Sequence, residues 1–151
     1  MYKTCSCFGH LKIEITENLK ENLYHIIENF ILNENVRIFL FGGFGMFDDL
    51  CHQIVTTLKT KFPDIKRVYV LEDEKWLDDY KRPKYLSTDD YESFEYYQPR
   101  YIGFYKRIYF RNLEIIDRSD FVIFYIRNTE KSGAYKAYKY AVKCKKKIIS
   151  I

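Results

Sequence analysis

Runs of apolar residues alternate with amphipathic segments along most of this chain, and this alternation limits the fold more than any other feature of the sequence. Strands separated by helices build a parallel sheet with helices on its faces. Val36–Phe41 is the clearest strand, because a nearly continuous apolar run is typical of a strand buried on both sides. We therefore predict an α/β fold with a mostly parallel sheet. The five predicted strands are residues 4–8, 36–41, 67–71, 121–126 and 147–151.

Four segments repeat apolar residues at helical spacing. The first ends near Asn33, and Asn18 with Glu21 offers it a capping-box start. The second starts at about Phe47 and stops before Pro63. The third and fourth are marked by residues 105–116 and 134–142. Together with the strands, they predict flanking helices on a sheet of about five strands.

One stretch does not follow the alternation. From residue 72 to about 100 the pattern dissolves into charges, tyrosines and two prolines, and long irregular stretches in compact domains are often lids or binding loops. We expect a partly helical, lid-like excursion at the carboxyl edge of the sheet. A chain of 151 residues is otherwise best explained as one domain, residues 1–151.

The charge and the cysteine content limit which binding partners and cofactors we expect for this protein. The formal net charge of +4 comes from 25 basic and 21 acidic residues that are interspersed, which argues against a nucleic-acid partner. Four cysteines lack the spacing of a secreted disulfide framework, so we expect reduced thiols, with Cys5 and Cys7 on one strand face. Without a repeated metal-ligand pattern we predict neither a metal nor a cofactor. We expect a soluble, cytoplasmic protein without a membrane partner, because no apolar stretch approaches the length of a spanning helix.

The turn from Gly42 to Asp48 joins a buried strand directly to a helix. Glycines let backbone N–H groups approach a phosphate, and the helix N-terminus adds partial positive charge. A tight turn without a ligand is the alternative. The turn matches neither a Walker loop nor the GxGxxG pattern, so hydride transfer with NAD is poorly supported.

Two further loops follow predicted strands. Phe8-Gly9-His10 combines a close-approach glycine with a hydrogen-bonding ring, although a histidine at a strand end is commonly a surface residue. Ser132 and Gly133 place a hydroxyl and amides at a helix start, which is a second anion-friendly end. Ligands of open parallel sheets bind beyond the carboxyl ends of the strands, where all three loops are predicted to lie.

Four pieces of the sequence together resemble the SLOG superfamily, the Rossmann-like group named for DNA-processing protein A and the lonely-guy phosphoribohydrolases, and most of all its YpsA-like branch. The pieces are Cys7-Phe8-Gly9-His10, the Gly42 to Asp48 turn, Arg111-Asn112 with Asp117-Arg118-Ser119-Asp120, and Ser132-Gly133-Ala134. The resemblance implies a Rossmann-like three-layer sandwich that holds a nucleotide-type ligand in one cleft. The ligand-binding residues it implies are Phe8, Gly9, His10, Gly42, Gly43, Phe44, Gly45, Met46, Arg111, Ser132 and Gly133.

The chain also departs from these patterns. Leu11 stands where the YpsA-like branch has arginine, and Asp49 stands where the lonely-guy enzymes have a catalytic glutamate. Because a shift of a catalytic carboxylate by about 1 Å can cost on the order of a hundredfold in rate, these departures argue against phosphoribohydrolase activity. The resemblance implies that Arg111 contacts phosphates. A salt bridge to Asp117 or to a nearby glutamate explains the presence of this arginine equally well. Asp48 is also explained as a carboxylate in the first turn of a helix, where it interacts favourably with the helix dipole.

These observations favour a cytosolic binding protein that senses or sequesters a nucleotide or an ADP-ribose-type ligand. The alternative is an enzyme that cleaves or transfers N-glycosidic bonds of nucleotides, with Asp48 or Asp49 as nucleophile or stabilising carboxylate. A DNA-associated protein and a scaffold acting through protein contacts are two further readings. An aromatic segment, residues 91–105, offers rings for base stacking or for covering a sheet edge or a homo-oligomer interface.

Overall fold

A computed structural model describes residues 1–42, 45–78, 89–97, 104–127 and 132–151. The strands it contains are β1 (Lys3–Gly9), β2 (Val36–Phe41), β3 (Lys66–Leu71), β4 (Ser93–Tyr96), β5 (Phe121–Tyr125) and β6 (Lys147–Ser150). The helices are α1 (Glu17–Asn33), α2 (Met46–Lys59), α3 (Phe104–Arg118) and α4 (Gly133–Lys143), with a 3-10 helix at Glu74–Leu77.

All six strands form one sheet in the order β4-β3-β2-β1-β5-β6, and every neighbouring pair is parallel. The prediction of an α/β fold with a parallel sheet is confirmed, and the strand count is six rather than about five. The additional strand is β4, a four-residue edge strand whose side chains are all half-buried. Such a strand has one neighbour and no continuous apolar run, so its sequence carries little strand pattern.

Helices cover both faces of the sheet and produce three layers. On one face, α1 and α2 pack on strand residues such as Cys5, Phe39 and Ile123 in the largest buried cluster. On the other face, Ile116 of α3 packs with Ala137 of α4 and the β5 side chains. Alternating side chains of β1, β2 and β5 therefore serve two cores, which explains why these strands are apolar almost throughout. In the part of the chain that the structure describes, no helix is both long and apolar enough to cross a lipid bilayer.

Side chains cap two of the helices at positions that matter for the sequence predictions. Thr16 caps α1, and its Oγ1 accepts a hydrogen bond from the Leu19 N–H at 3.1 Å. The capping box expected from Asn18 and Glu21 is wrong, because both residues lie inside the helix. Ser132 caps α4, and its Oγ accepts from the Tyr135 N–H at 3.0 Å.

The strand order creates a crevice between β1 and β5. From β1 the chain moves outward through β2, β3 and β4, and then returns to the opposite side of β1 as β5. The loops that follow β1 and β5 consequently leave the sheet in opposite directions. At such a switch point, open α/β sheets bind ligands beyond the carboxyl ends of the strands.

Candidate functional site

A cavity of about 560 Å³ lies beyond the carboxyl end of β1. This volume falls within the range of small-molecule sites. Its walls come from the ends of β1 and β2, from α3 and from the starts of α2 and α4. The lining residues are Cys7, Phe8, Gly9, His10, Leu11, Gly42, Asp48, Ile108, Tyr109, Arg111, Asn112, Ser132, Gly133, Ala134 and Lys136.

Most residues that the sequence singles out meet in this cavity. They are Phe8, Gly9, His10, Gly42, Asp48, Arg111, Ser132 and Gly133. Gly45 caps α2, Met46 is exposed and Asp49 is exposed, and none of these three residues is among the cavity walls. Gly43 and Phe44, which the resemblance also implies as ligand-binding, lie outside the described residues.

The loop after β1 is tied to the start of α2. The Met46 N–H donates a hydrogen bond to the Leu11 carbonyl at 2.9 Å, so this amide at the helix start is occupied within the protein. Gly45, at the N-cap, has a φ of 101°, and a Cβ there would lie 2.8 Å from the Leu11 Cα. Glycine is therefore required at this position by both conformation and space. The cradle expected at the Gly42 to Asp48 turn is thus partly filled by the neighbouring loop.

His10 is held by the loop after β5. Its Nε2 accepts a hydrogen bond from the Arg127 N–H at 2.7 Å, across the switch point. Because a backbone N–H only donates, Nε2 is the acceptor in this contact. The contact joins the ends of β1 and β5, and it accounts for the orientation of the His10 ring at the cavity wall.

Arg111 is the buried cation of the cavity. Its side chain is 1% exposed, and its Nη1 donates to the Glu72 carboxylate at 3.2 Å. Nη2 donates to the Asn112 side-chain oxygen at 3.4 Å, a long contact. Nε has no hydrogen-bond partner among the described residues. Buried polar groups are almost always satisfied, so this open N–H is a notable exception in the site.

Gly42 permits the guanidinium of Arg111 to lie against the end of β2. A Cβ at Gly42 would lie 2.8 Å from Nη2 and 3.0 Å from the guanidinium carbon. The Gly42 carbonyl accepts a hydrogen bond from the Tyr69 hydroxyl at 3.1 Å, which holds this end of the turn. Burial raises the pKa of Tyr69, so its hydroxyl remains a donor throughout the ordinary pH range.

The remaining polar groups of the cavity carry mixed charge. Asp48, in the first turn of α2, is 7% exposed, whereas Lys136 of α4 is exposed at the cavity rim. A carboxylate at a helix start is stabilised by the helix dipole. At the same time it repels an anion and can accept hydrogen bonds from ligand hydroxyls. The arrangement suits a ligand that has both an anionic group and hydroxyl donors.

One wall of the cavity is apolar. Phe8 stacks on Phe124 with ring centroids 5.7 Å apart, and Ile108 and Tyr109 approach from α3. Tyr109 is 38% exposed, so its ring has a face available beside the cavity. The sequence predictions did not assign Ile108, Tyr109 or Lys136 to the site. For Lys136, the spacing of four residues from Ser132 on a helix is the signal that would have found it.

The aromatic segment contributes little to this cavity in its described part. Tyr91 lies 5.2 Å from Tyr69 and 4.6 Å from His52 between ring centroids, and Phe94 lies 5.5 Å from Tyr91. These rings pack against Tyr69 of β3 and His52 of α2, next to β4. Tyr101 and the side chains of residues 104 and 105 lie outside the described residues.

Among the described residues, no three histidine, cysteine, aspartate or glutamate side chains form a group that could hold a metal ion. Comparison with protein-family models finds no match, and no curated protein sequence matches the chain.

Solved structures do resemble this chain. DNA processing protein A from Streptococcus pneumoniae matches with a TM-score of 0.67 at 14% identity, over 99% of this chain and 50% of that protein. DNA processing protein A from Helicobacter pylori, solved for its single-stranded DNA binding mode, matches with a TM-score of 0.66 at 15% identity, over 98% of this chain and 64% of that one. The molybdenum cofactor carrier protein of Chlamydomonas reinhardtii matches with a TM-score of 0.55 at 14% identity, over 99% and 76%.

At these identities the matches establish the fold, which is Rossmann-like and similar to that of DNA processing protein A. The chain spans about half of the pneumococcal protein and 64% of the Helicobacter pylori protein. The matches contradict the prediction against a nucleic-acid partner, because a protein with this fold binds single-stranded DNA. That prediction was based on a mild, interspersed net charge, and net charge does not report how basic side chains are distributed on one face.

Proposed function

We propose that this protein is a nucleotide-binding module of the SLOG type, related to the YpsA-like branch, that senses or sequesters a nucleotide or ADP-ribose-type ligand in the cytoplasm. The observation that carries the proposal is the buried Nε–H of Arg111, which has no hydrogen-bond partner among the described residues and belongs to a side chain that lines the cavity at the switch point. A charged donor buried without a partner costs free energy that a bound anion would recover.

The surroundings of Arg111 favour a phosphate as that anion. The guanidinium lies against Gly42, which also lines the cavity, and Ser132 and Gly133 bring the start of α4 to the same cavity. A helix start offers free N–H groups and partial positive charge to an anion. Lys136, one turn into α4, adds an exposed cation at the rim.

The other walls fit the rest of a nucleotide. Phe8, Ile108 and Tyr109 provide apolar and aromatic surface for a base, and Asp48 provides an acceptor for sugar hydroxyls. Inorganic phosphate or pyrophosphate alone would leave these walls unused and would meet the Asp48 carboxylate. We therefore infer that the ligand combines phosphate, sugar and base.

Binding is proposed here rather than N-glycosidic cleavage. Glycoside-type chemistry uses two carboxyl groups on either side of the scissile bond. Of the described residues that line the cavity, Asp48 is the one carboxylate, and Asp49 is exposed outside it. Release of free base from AMP or NAD that disappears in Asp48→Asn would reverse this preference.

Thermal shift with a panel of AMP, ADP-ribose, adenosine and pyrophosphate tests the proposal. Ligand at about 100 times its dissociation constant adds roughly 2.7 kcal/mol to the free energy of unfolding. We expect AMP or ADP-ribose to raise the melting temperature, and adenosine and pyrophosphate to do so far less. The shift should shrink in Lys136→Met and persist in the matched control Lys139→Met, because Lys139 lies one turn farther along α4 and is not a cavity residue. No shift with any phosphorylated nucleoside would refute the proposal.

A second candidate function is binding of single-stranded DNA. Lys136, Lys139 and Lys143 are exposed at spacings of three and four residues on α4, which places them on one face. The Lys139 Nζ lies 5.1 Å from the centre of the Tyr135 ring, and the Tyr135 and Tyr138 rings are stacked at 6.3 Å. Basic side chains interleaved with aromatic rings are typical of single-strand binding surfaces. The DNA processing protein A of Helicobacter pylori, which shares the fold, supports this candidate.

Salt dependence separates the two functions. Three phosphate contacts on single strands predict a slope of about −2 for log K against log salt concentration. Oligo(dT) binding with that slope, reduced in Lys139→Met and Lys143→Met, would support the DNA candidate. Binding of AMP that depends on Lys136 and not on Lys139 or Lys143 would support the cavity.

A further inference from the structure

The helix α4 leads from the cavity onto the exposed surface of the protein. Its first turn contributes Gly133, Ala134 and Lys136 to the cavity walls, and the helix then continues to Lys143. From Lys136 to Lys143 the helix rises by about 10 Å, at about 1.5 Å per residue. A ligand longer than one nucleotide can therefore extend from the cavity along α4.

The outer side of α4 is basic and aromatic. Lys136, Lys139 and Lys143 are exposed on one side of the helix, which we call the lysine face. No acidic residue is present in α4, so these charges have no partner within the helix. The half-buried rings of Tyr135 and Tyr138 lie beside this face, and the Lys139 Nζ is 5.1 Å from the Tyr135 ring centre. Cations for phosphates thus alternate with rings on which bases can stack.

The charge around the cavity is asymmetric. Asp48, in the first turn of α2, lines the cavity, and its exposed neighbour Asp49 adds a second negative charge to that turn. Among the described residues that line the cavity, Lys136 is the exposed cation. The α2 side repels additional phosphates, whereas the α4 side attracts them. A phosphate chain that leaves the cavity is therefore directed along the lysine face.

We propose that the cavity and the lysine face form one site for the phosphorylated end of a single-stranded oligonucleotide. The terminal nucleotide occupies the cavity, where the Nε–H of Arg111 donates to its terminal phosphate, and the following phosphates contact Lys139 and Lys143. This inference rests on the proposed nucleotide site, and it makes the two candidate functions parts of one binding event.

The buried guanidinium is the reason for preferring an end over an internal position. A phosphomonoester carries a charge of about −1.5 to −2 at pH 7, whereas an internal phosphodiester carries a single negative charge. Arg111 is 1% exposed, and its Nε has no hydrogen-bond partner among the described residues, so it gains most from the more highly charged group. An internal nucleotide would also need a cationic path on both sides of the cavity, and the α2 side is acidic.

Calorimetric titration with AMP and three hexamers of riboadenylate tests the inference. One hexamer has a 5′-phosphate, one has a 3′-phosphate, and one has hydroxyl groups at both ends. Their terminal nucleotide matches AMP and keeps the 2′-hydroxyl, for which Asp48 is an acceptor. We expect one of the phosphorylated hexamers to bind at least about tenfold more tightly than the hexamer without a phosphate. It should also bind severalfold more tightly than AMP, because it makes additional phosphate contacts.

Three variants locate the contacts. Lys139→Met should weaken binding of the preferred hexamer severalfold and leave AMP binding unchanged, because Lys139 is exposed and is not a cavity residue. Arg111→Met should remove the preference for a phosphorylated end. Lys20→Met is the matched control, since this exposed lysine lies on α1, away from α4, and it should change neither ligand's affinity.

The possible failures are distinguishable. If AMP binds but the three hexamers bind equally, or none binds more tightly than AMP, the inference is wrong and the proposed nucleotide site stands. If neither AMP nor any hexamer binds, the nucleotide site itself is refuted. A preference for a phosphorylated end that persists in Arg111→Met, or hexamer affinity unchanged in Lys139→Met, would also overturn the inference.

Discussion

Two buried arginines in this protein have opposite surroundings. Arg67 is 6% exposed and Arg111 is 1% exposed, so both guanidinium groups are removed from bulk water. Arg67 Nε and Nη2 both bond the Glu92 carboxylate, at 3.1 and 3.0 Å. Its Nη1 donates to the Thr56 hydroxyl and its Nη2 also donates to the Asp89 carbonyl. Arg111 has one carboxylate contact, and its Nε has no hydrogen-bond partner in the part of the chain that the structure describes.

The difference indicates that Arg67 has a structural role, whereas the proposed role of Arg111 is in binding. Arg67 ties β3 to the segment that leads into β4, and its hydrogen-bonding capacity is used within the protein. Arg111 lines a cavity, and its Nε–H has no hydrogen-bond acceptor among the described residues. Burial of an arginine therefore does not identify a ligand site, because both are buried. An unmet donor in a side chain that lines a cavity is the feature that distinguishes Arg111, and the proposed binding site rests on it.

The largest expected effect is on stability, at Arg67. Arg67→Met leaves the partly buried Glu92 carboxylate without its main partner, and breaking such a pair costs about 3 kcal/mol. Urea denaturation should show this loss, whereas AMP affinity of the folded variant should equal that of the wild type. Lys59→Met is the matched control, because Lys59 contacts the same carboxylate at 3.1 Å from a more exposed position, and it should cost less. If folded Arg67→Met loses AMP affinity, Arg67 contributes to binding and is not only a structural arginine.

The next effect is on binding, at Arg111. Hydrogen bonds to charged groups contribute about 1.5 to 3 kcal/mol, so Arg111→Met should weaken AMP binding roughly 10- to 100-fold. Isothermal titration calorimetry measures this change. Glu72→Gln is the control, because it removes the charge of the ion-pair partner and leaves the guanidinium beside the cavity. If Arg111→Met binds AMP as the wild type does, Arg111 is a structural arginine like Arg67.

The pH dependence of stability should follow the Arg67 pair. Burial opposes ionisation of Glu92, but hydrogen bonds from Arg67 and Lys59 lower its pKa from 4.5 to about 2. The folded state therefore binds fewer protons than the unfolded state in this interval, and the stabilisation is present above about pH 4.5 and is lost as pH falls to about 2. Denaturation at pH 6, 4 and 3 should show a decline in the wild type that is weaker in Arg67→Met. Equal slopes in both proteins would contradict the pairing.

The smallest effects are at two glycines of the cavity. In Gly42→Ala the new Cβ would displace the Arg111 guanidinium, so AMP affinity should fall severalfold. Gly133→Ala is the comparison for stability only, because nothing lies within 4 Å of a Cβ at that position. It should slightly increase stability through a less flexible unfolded chain. Wild-type AMP affinity in Gly42→Ala would show that Arg111 does not contact AMP.

Much of the fold follows from the sequence alone. Periodicity and apolar runs predicted five of the six strands and four helices within a few residues, because burial on one or two faces leaves a local pattern. The strand β4 was missed, since its four residues are half-buried at the edge. It is held there by pairing with β3 and by the Arg67–Glu92 contact, which joins residues far apart in sequence.

For the site, the local sequence predicts which loops carry glycine, serine and histidine at strand ends and helix starts. Which of these loops meet depends on the three-dimensional arrangement of the elements. The same arrangement places the Leu11 carbonyl where it accepts from the Met46 N–H, and it places Asp48 but not Asp49 at the cavity. It also pairs Glu72 with Arg111, whose Nε has no hydrogen-bond partner among the described residues. Local patterns record the burial of each segment, whereas these contacts depend on strand order and on how α3 crosses the sheet, and neither property has a local signal in the chain.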